Sequence, residues 1–133
     1  MPDDRQIVID ELVTEWLRRA NADLNLAELI DDERISPEIL AYHAQQATEK
    51  ALKSLLVKRQ VEFPFTHVIG ILLNLCQDAG LKINEIVAES FSLTRYAVAT
   101  RYPGETEPVT RQEAREAARL ARIVMTWVEN QIK

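Results

Sequence analysis

The sequence contains few of the residues that support disulfide-rich, loop-rich or membrane-spanning proteins. Its single cysteine, Cys76, excludes an internal disulfide, and its three glycines form neither the phosphate loops GxxxxGK[ST] and GxGxxG nor the GxSxG nucleophile elbow. The longest apolar run, near residues 68–75, is much shorter than the roughly 20 residues of a membrane-spanning helix. We therefore expect a cytoplasmic protein that does not enter a membrane and that holds any nucleotide through side chains.

The charge balance and the scarcity of metal-binding residues weigh against two further classes of function, DNA binding and metal binding. A net charge of -5 weighs against DNA binding, because nucleic-acid capture by counterion release needs a concentrated basic surface. There is no paired Cys/His motif and no HExxH, so we expect no metal ion and no cofactor beyond a nucleotide ligand of unknown identity. The apolar neighbours of Cys76 predict a buried, unreactive thiol.

The composition favours helices in a single domain. Apolar residues make up 47 % of the chain, Gly and Pro are scarce, and no Ser/Gly/Pro-rich linker interrupts residues 1–133. Apolar residues recur at helical spacing over about 7–30, 36–59, 66–79 and 84–100, and from about 110 nearly to the end. Because short connections favour antiparallel neighbours, we predict an all-α protein, an up-and-down four-helix bundle with an additional short helix.

Capping residues mark the predicted helix ends. Gly80 is suited to the left-handed position after the third helix, and the sequence SFSLT weakens helix propensity within the fourth. Predicted starts are Asp3 or Asp4 for the first helix, Ser36-Pro37 for the second, Asn84 for the fourth, and Thr110 with Glu113 as a capping box for the last.

Four polar residues of the second helix share one sector at about 100° per residue: His43, Gln46, Lys50 and Lys53. An imidazole, an amide and two ammonium groups are suited to hydrogen-bonding a base or ribose and to neutralising phosphate. The alternative interpretation is an ordinary solvated helix face, because Lys and Gln are common on exposed surfaces.

A second polar cluster precedes the Pro103-Gly104 turn and consists of Arg95, Tyr96, Arg101 and Tyr102. Two guanidinium groups and two rings are suited to binding phosphate and stacking a base. The alternative is tyrosine packed under a loop with the arginines exposed. His67, near the predicted start of the third helix, is more typical of a structural hydrogen-bonding residue than of a catalyst.

Three sequence blocks resemble the HEPN family, the small helical proteins named for nucleotide binding in prokaryotes and higher eukaryotes. They are AYHAQQATEKALKSLLVKRQ, FTHVIGIL and LTRYAVATRYPG, and RANADLNLAE is similar to the family's first helix. The resemblance implies a four- or five-helix bundle, frequent homodimerisation and partnership with a minimal nucleotidyltransferase. Positions that match the family signature are His43, Gln46, Glu49, Lys50, His67, Tyr96, Arg101 and Tyr102.

The sequence departs from the family's ribonuclease motif. Many HEPN members are metal-independent ribonucleases with an Arg and a His within two turns of a late helix, but no histidine follows Arg101 here. That Arg/His pair therefore does not carry over. If RNA were cleaved, His43 or His67 beside Arg101 would be the candidates for proton transfer and transition-state stabilisation.

Three functional hypotheses follow. The first is a noncatalytic nucleotide-binding or regulatory HEPN subunit that dimerises and works with a minimal nucleotidyltransferase, with the His43 strip and the Arg101 turn around one cavity. The second is a toxin-like endoribonuclease of a toxin-antitoxin pair, with RNA as its substrate. The third is a pure protein-interaction module. Trp127, in a C-terminal apolar stripe, is predicted to be exposed and to contribute to a homodimer interface.

Overall fold

The computed structural model of the chain describes residues 3–98 and 108–133. These residues contain no strand and form α1 (Asp4–Ala27), α2 (Pro37–Lys58), α3 (Ile69–Asp78), α4 (Glu85–Glu89), a 3₁₀ helix (Ser90–Tyr96) and α5 (Arg111–Ile132). The predicted all-helical fold is confirmed. None of the helices in the described ranges is long and apolar enough to cross a lipid bilayer.

Most of the helix starts lie where the sequence predicts them. The Asp3 carboxylate accepts a hydrogen bond from the Gln6 amide, and Ser36 and Asn84 cap α2 and α4 in the same way. Thr110 and Glu113 form the complete capping box of α5. Each cap satisfies backbone N–H groups that have no partner inside the helix, so the short polar residues fix where the helices begin.

The third and fourth segments differ from their predicted spans. Helix α3 begins at Ile69 rather than Thr66, because Val68 is extended and the Thr94 hydroxyl accepts the Ile69 amide at 3.0 Å. The fourth helix, predicted to reach Thr100, becomes a 3₁₀ helix at Ser90. The Ser90 hydroxyl donates to the Val87 carbonyl at 2.6 Å, and such local side-chain bonds compete with α-helical pairing.

Helix α2 lies at the centre of the bundle and packs against α1, α5, α3 and the 3₁₀ helix. Small residues make its contacts close: Ala44, Ala47 and Ala51 are buried on α2, as are Ala117 and Ala121 on α5. Nearly all sides of α2 are therefore covered, and its polar side chains must find partners within the protein.

Trp127 and Cys76 both lie in the core. Trp127 is only 9 % exposed and packs with the buried residues of α5, so its predicted exposure is wrong, and a dimer interface does not follow from it. Its aromatic ring completes the apolar face of the helix. Cys76 is fully buried, and burial raises the pKa of its thiol to about 11, as expected for an unreactive cysteine.

The loop between α1 and α2 is held to the start of α5 by Arg111. Its guanidinium donates to the Ile30 carbonyl at 2.7 Å and to the Ile35 carbonyl at 2.8 Å. Two ion pairs extend this connection along the surface, Arg115 with Asp31 and Arg122 with Glu28. Arg111 thus satisfies two loop carbonyls that the helices leave without backbone partners.

Replacing Arg111 with Ala removes both hydrogen bonds, so we expect the free energy of unfolding to fall by about 2 kcal/mol. The matched control is Arg119→Ala, because Arg119 forms an exposed ion pair with Glu116 one turn away on the same helix. Its expected cost is below about 0.5 kcal/mol. Urea unfolding followed by circular dichroism measures both values. Equal losses in the two variants would contradict this function of Arg111.

Candidate functional site

The first polar group of the site joins α1 to α2 through one carboxylate. Asp23 Oδ1 lies 2.8 Å from His43 Nδ1, and Asp23 Oδ2 lies 2.6 Å from Lys50 Nζ. The His43 and Lys50 side chains remain 26 % and 23 % exposed. A carboxylate only accepts hydrogen bonds, so His43 carries a proton on Nδ1 and its Nε2 is left for another contact.

The second group is centred on Glu49, also on α2. Its residues on α2 are more deeply buried than the first group, whereas its histidine, His67, is exposed. Glu49 Oε1 accepts from His67 Nδ1 at 2.8 Å and from Gln45 Nε2 at 3.1 Å, and Oε2 pairs with Lys53 Nζ at 2.8 Å. Gln46 Nε2 donates in turn to Gln45 Oε1 at 2.7 Å. This network connects α2 to the segment before α3, because Gln45 also donates to the His67 carbonyl.

The ionisation of Glu49 follows from these contacts. Burial alone raises the pKa of the Glu49 carboxyl, but hydrogen bonds from Lys53, His67 and Gln45 outweigh burial and hold the pKa below its usual value. Glu49 is therefore a carboxylate at neutral pH. Its charge compensates the buried Lys53 ammonium, which is only 5 % exposed.

Aromatic rings surround Lys53 on the side away from the backbone of α2. The ammonium nitrogen lies 5.6 Å from the ring centre of Trp16, 5.7 Å from that of Phe63 and 5.9 Å from that of Phe65. Phe65 is 95 % exposed and packs edge-on against the His67 imidazole. Cation–π attraction adds to the Glu49 pair in stabilising the buried charge.

The predicted strip on α2 is thus divided between two networks. His43 and Lys50 share Asp23, whereas Lys53 and Gln46 belong to the Glu49 network, which also takes in His67. Gln46 and Lys53 are buried rather than solvated.

The structural roles of Asp23 and Glu49 were not predicted from the sequence, although both residues lie in the quoted family blocks. A signal was present for Asp23, because an acidic residue lies between Ala20 and Leu24 of the α1 apolar stripe.

The second predicted cluster is described only in part. Arg95 donates to the Tyr96 hydroxyl, its guanidinium lies 4.7 Å from the Tyr96 ring centre, and it also pairs with Glu113 at 3.3 Å. Tyr96 is buried. Arg101 and Tyr102 lie outside the described residues.

The 3₁₀ helix approaches the start of α3, where Thr94 accepts the Ile69 amide. This contact lies two residues along the chain from His67 of the Glu49 network. No cluster of three or more His, Cys, Asp or Glu suited to a metal ion occurs within residues 3–98 and 108–133.

The fold defines the class of this protein. It is a small all-α domain whose first two helices are joined by part-buried polar contacts of Asp23 with His43 and Lys50. The family model of the HEPN domain matches residues 13–131. The chain therefore belongs to the HEPN domain family, which confirms the resemblance seen in the sequence.

Individual relatives agree with this assignment. A protein of Methanocaldococcus jannaschii named "Putative toxin MJ1304" is 26 % identical over 132 residues, covering 89 % of this chain and 86 % of that protein. The crystal structure of ST0689, an archaeal HEPN homologue, is similar with a TM-score of 0.73 and 27 % identity, over 91 % of this chain and 98 % of that chain. The crystal structure of TT1696 from Thermus thermophilus is similar with a TM-score of 0.74 and 30 % identity, over 90 % of this chain and 97 % of that chain.

Glu49→Gln leaves the buried Lys53 ammonium without its counter-charge, so we expect the free energy of unfolding at neutral pH to fall by about 3 kcal/mol. Because the pKa of Glu49 is lowered by folding, its contribution to stability is present above the usual carboxyl pKa of 4.5 and is lost as the pH falls further. The difference between wild type and variant should therefore shrink on acidification.

Urea unfolding at pH 7 and at about pH 3.5 measures this difference. The matched control is Glu62→Gln, an exposed position in the neighbouring loop, for which a change within about 0.5 kcal/mol is expected. A constant difference between wild type and Glu49→Gln across this pH range would contradict the assigned charge of Glu49.

Proposed function

We propose that this chain is a noncatalytic nucleotide-binding or regulatory HEPN subunit that works with a minimal nucleotidyltransferase. The observation that carries the proposal is the pairing of both histidines with carboxylates that also bind lysine. His43 shares Asp23 with Lys50, and His67 shares Glu49 with Lys53. These pairs form a fixed array of hydrogen-bonding groups with little net charge, which suits recognition of a base or ribose.

The position of the histidines supports a noncatalytic role. His43 and His67 are the only two histidines of the sequence, and both precede Arg101. A ribonuclease site of the family type needs an imidazole close to an arginine so that proton transfer and charge stabilisation act on one phosphate. Here no contact joins either imidazole to an arginine within the described residues, and Arg95 contacts Tyr96 and Glu113.

In this proposal the ligand contacts the less buried part of the array. The His67 side chain is 53 % exposed, that of His43 is 26 % exposed and that of Lys50 is 23 % exposed. Arg101 and Tyr102 are proposed to contribute phosphate and base contacts from the turn. Gln46, Lys53, His67 and Tyr96 complete the proposed set, with Gln46 and Lys53 supporting it from within the protein. We further propose a homodimer in the cytoplasm, with the nucleotidyltransferase as its partner.

Titrating the protein with ATP or GTP tests nucleotide binding. We expect the wild-type protein to show calorimetric heat and backbone chemical-shift changes. The affinity measured from them should fall at least about tenfold in Lys50→Ala and in Arg101→Ala, since each variant loses a charge-assisted contact of about 1.5–3 kcal/mol. Lys58→Ala is the matched control on the same helix, because Lys58 lies two turns beyond Lys50 and approaches only Asp10. Absence of both signals in wild-type protein would refute nucleotide binding at this site.

The partner and the dimer are tested separately. Coexpression with a minimal nucleotidyltransferase should give a complex that comigrates in size-exclusion chromatography, and light scattering on the chain alone should give twice the monomer mass. A monomer that never comigrates with the enzyme would contradict the regulatory part of the proposal but not nucleotide binding.

A second candidate is a metal-independent endoribonuclease, supported by the relative named as a toxin. The Asp23–His43 pair also has the form of a carboxylate-oriented base, since the carboxylate fixes the proton on Nδ1 and leaves Nε2 to accept one. In this alternative, His43 or His67 takes the proton of a 2′-hydroxyl, and Arg101 stabilises the phosphorane-like charge.

Incubation with single-stranded RNA distinguishes the two candidates. The ribonuclease hypothesis expects fragments with metal chelator present, and a loss of cleavage of at least about a hundredfold in His43→Ala or His67→Ala. Expression of wild-type protein should then arrest growth, and the same substitutions should relieve it. Intact RNA after long incubation with folded protein would exclude this candidate.

A further inference from the structure

A cleft lies between α3, the segment before α4, α4 and the 3₁₀ helix. Its volume is about 330 Å³. Leu73, Ile83 and Ala88 form its apolar walls. It is distinct from the α1–α2 array described above, because none of its lining residues belongs to α1 or α2. Its size falls within the range of cavities that hold small organic ligands.

Two amides and one aromatic ring give this cleft its chemical character. Asn74 and Gln77 lie three residues apart on α3, so their side chains are neighbours on the helix surface. Neither side chain makes a hydrogen bond to any part of the chain that the structure describes. Phe91, on the 3₁₀ helix, is 62 % exposed and lines the same cleft. The cleft thus combines unused donors and acceptors with an exposed π-face.

We propose that this cleft binds an adenine base. A carboxamide offers a donor and an acceptor side by side, which matches the N6 amino group and the N7 acceptor of adenine. Phe91 supplies the stacking surface that flat bases use on proteins, and Leu73 and Ile83 supply apolar contact around the ring. Guanine presents two acceptors on the corresponding edge, so one hydrogen bond would be lost with it.

Gly70 keeps the cleft open. It lies in the first turn of α3, one turn before Asn74, and a Cβ atom placed on it would lie 4.0 Å from the Cβ of Phe91. That distance is ordinary van der Waals contact, so alanine fits without a clash, whereas a longer side chain occupies the space beside the ring. A long side chain at position 70 is therefore compatible with the helical backbone but not with an occupied cleft.

The proposal goes beyond the nucleotide site on α2, since a base alone, without phosphate, is sufficient for the cleft. Adenosine is accordingly the probe, because it lacks the phosphates that Lys50 and Arg101 are proposed to bind. Adenosine tests the cleft without phosphate, and inorganic triphosphate, which lacks the base, tests the Lys50 site without the cleft. Failure of one proposal is therefore distinguishable from failure of the other.

The test is a titration of ¹⁵N-labelled protein with adenosine, followed through the side-chain amide resonances of Asn74 and Gln77. We expect both to shift, and we expect Gly70→Leu and Asn74→Leu to weaken binding at least about tenfold, the cost of one lost base contact. Guanosine should bind about tenfold more weakly than adenosine. The matched control is Asn130→Leu, because Asn130 is an exposed asparagine on α5 outside the cleft. This variant should bind adenosine with the same affinity as wild type.

Thermal unfolding of each variant separates a blocked cleft from a damaged fold. Gly70→Ala should unfold at or above the wild-type temperature, because alanine favours the helix, and Asn74→Leu provides a second variant if Gly70→Leu does not fold. Amide resonances that stay unmoved at millimolar adenosine would overturn the proposal. Equal affinity of wild type and a folded Gly70→Leu variant would overturn it as well.

Discussion

The carboxylate of Glu49 is the interaction on which the central helix depends. Helix α2 is covered on nearly all sides yet carries a buried ammonium group, and removing an unpaired charge from water costs several kcal/mol. The carboxylate compensates Lys53 on one oxygen and accepts His67 and Gln45 on the other. One side chain therefore fixes both the electrostatics of α2 and the position of the chain entering α3.

The same principle applies at Asp23 on the α1–α2 surface. His43 and Lys50 are held at defined positions by a shared carboxylate, so a ligand would meet oriented groups rather than an excess of positive charge. Affinity for phosphate would then depend on additional cations from outside α2. This balance agrees with the acidic net charge of the chain and favours selective binding over nonspecific capture of nucleic acid.

Sequence periodicity and capping residues predicted the helices well where the signals were local. Ser36 with Pro37, and Thr110 with Glu113, act within one helical turn, so their effects can be read without the fold. The start of α3 could not be predicted, because the Thr94 hydroxyl that accepts the Ile69 amide lies 25 residues away. The division of the polar strip on α2 into two networks could not be predicted either, because it depends on partners outside the strip. Helical spacing placed Lys50 and Lys53 on one face but did not indicate that separate carboxylates bind them.

The environment of Cys76 has a practical consequence for spectroscopy. A thiol with no exposed surface and a pKa of about 11 is almost entirely protonated in neutral buffer, and the thiolate is the form that maleimides and related reagents attack. The native chain consequently behaves as a cysteine-free background. A single cysteine introduced at any solvent-facing position can carry a fluorophore or a spin label with site selectivity, without first mutating the natural one.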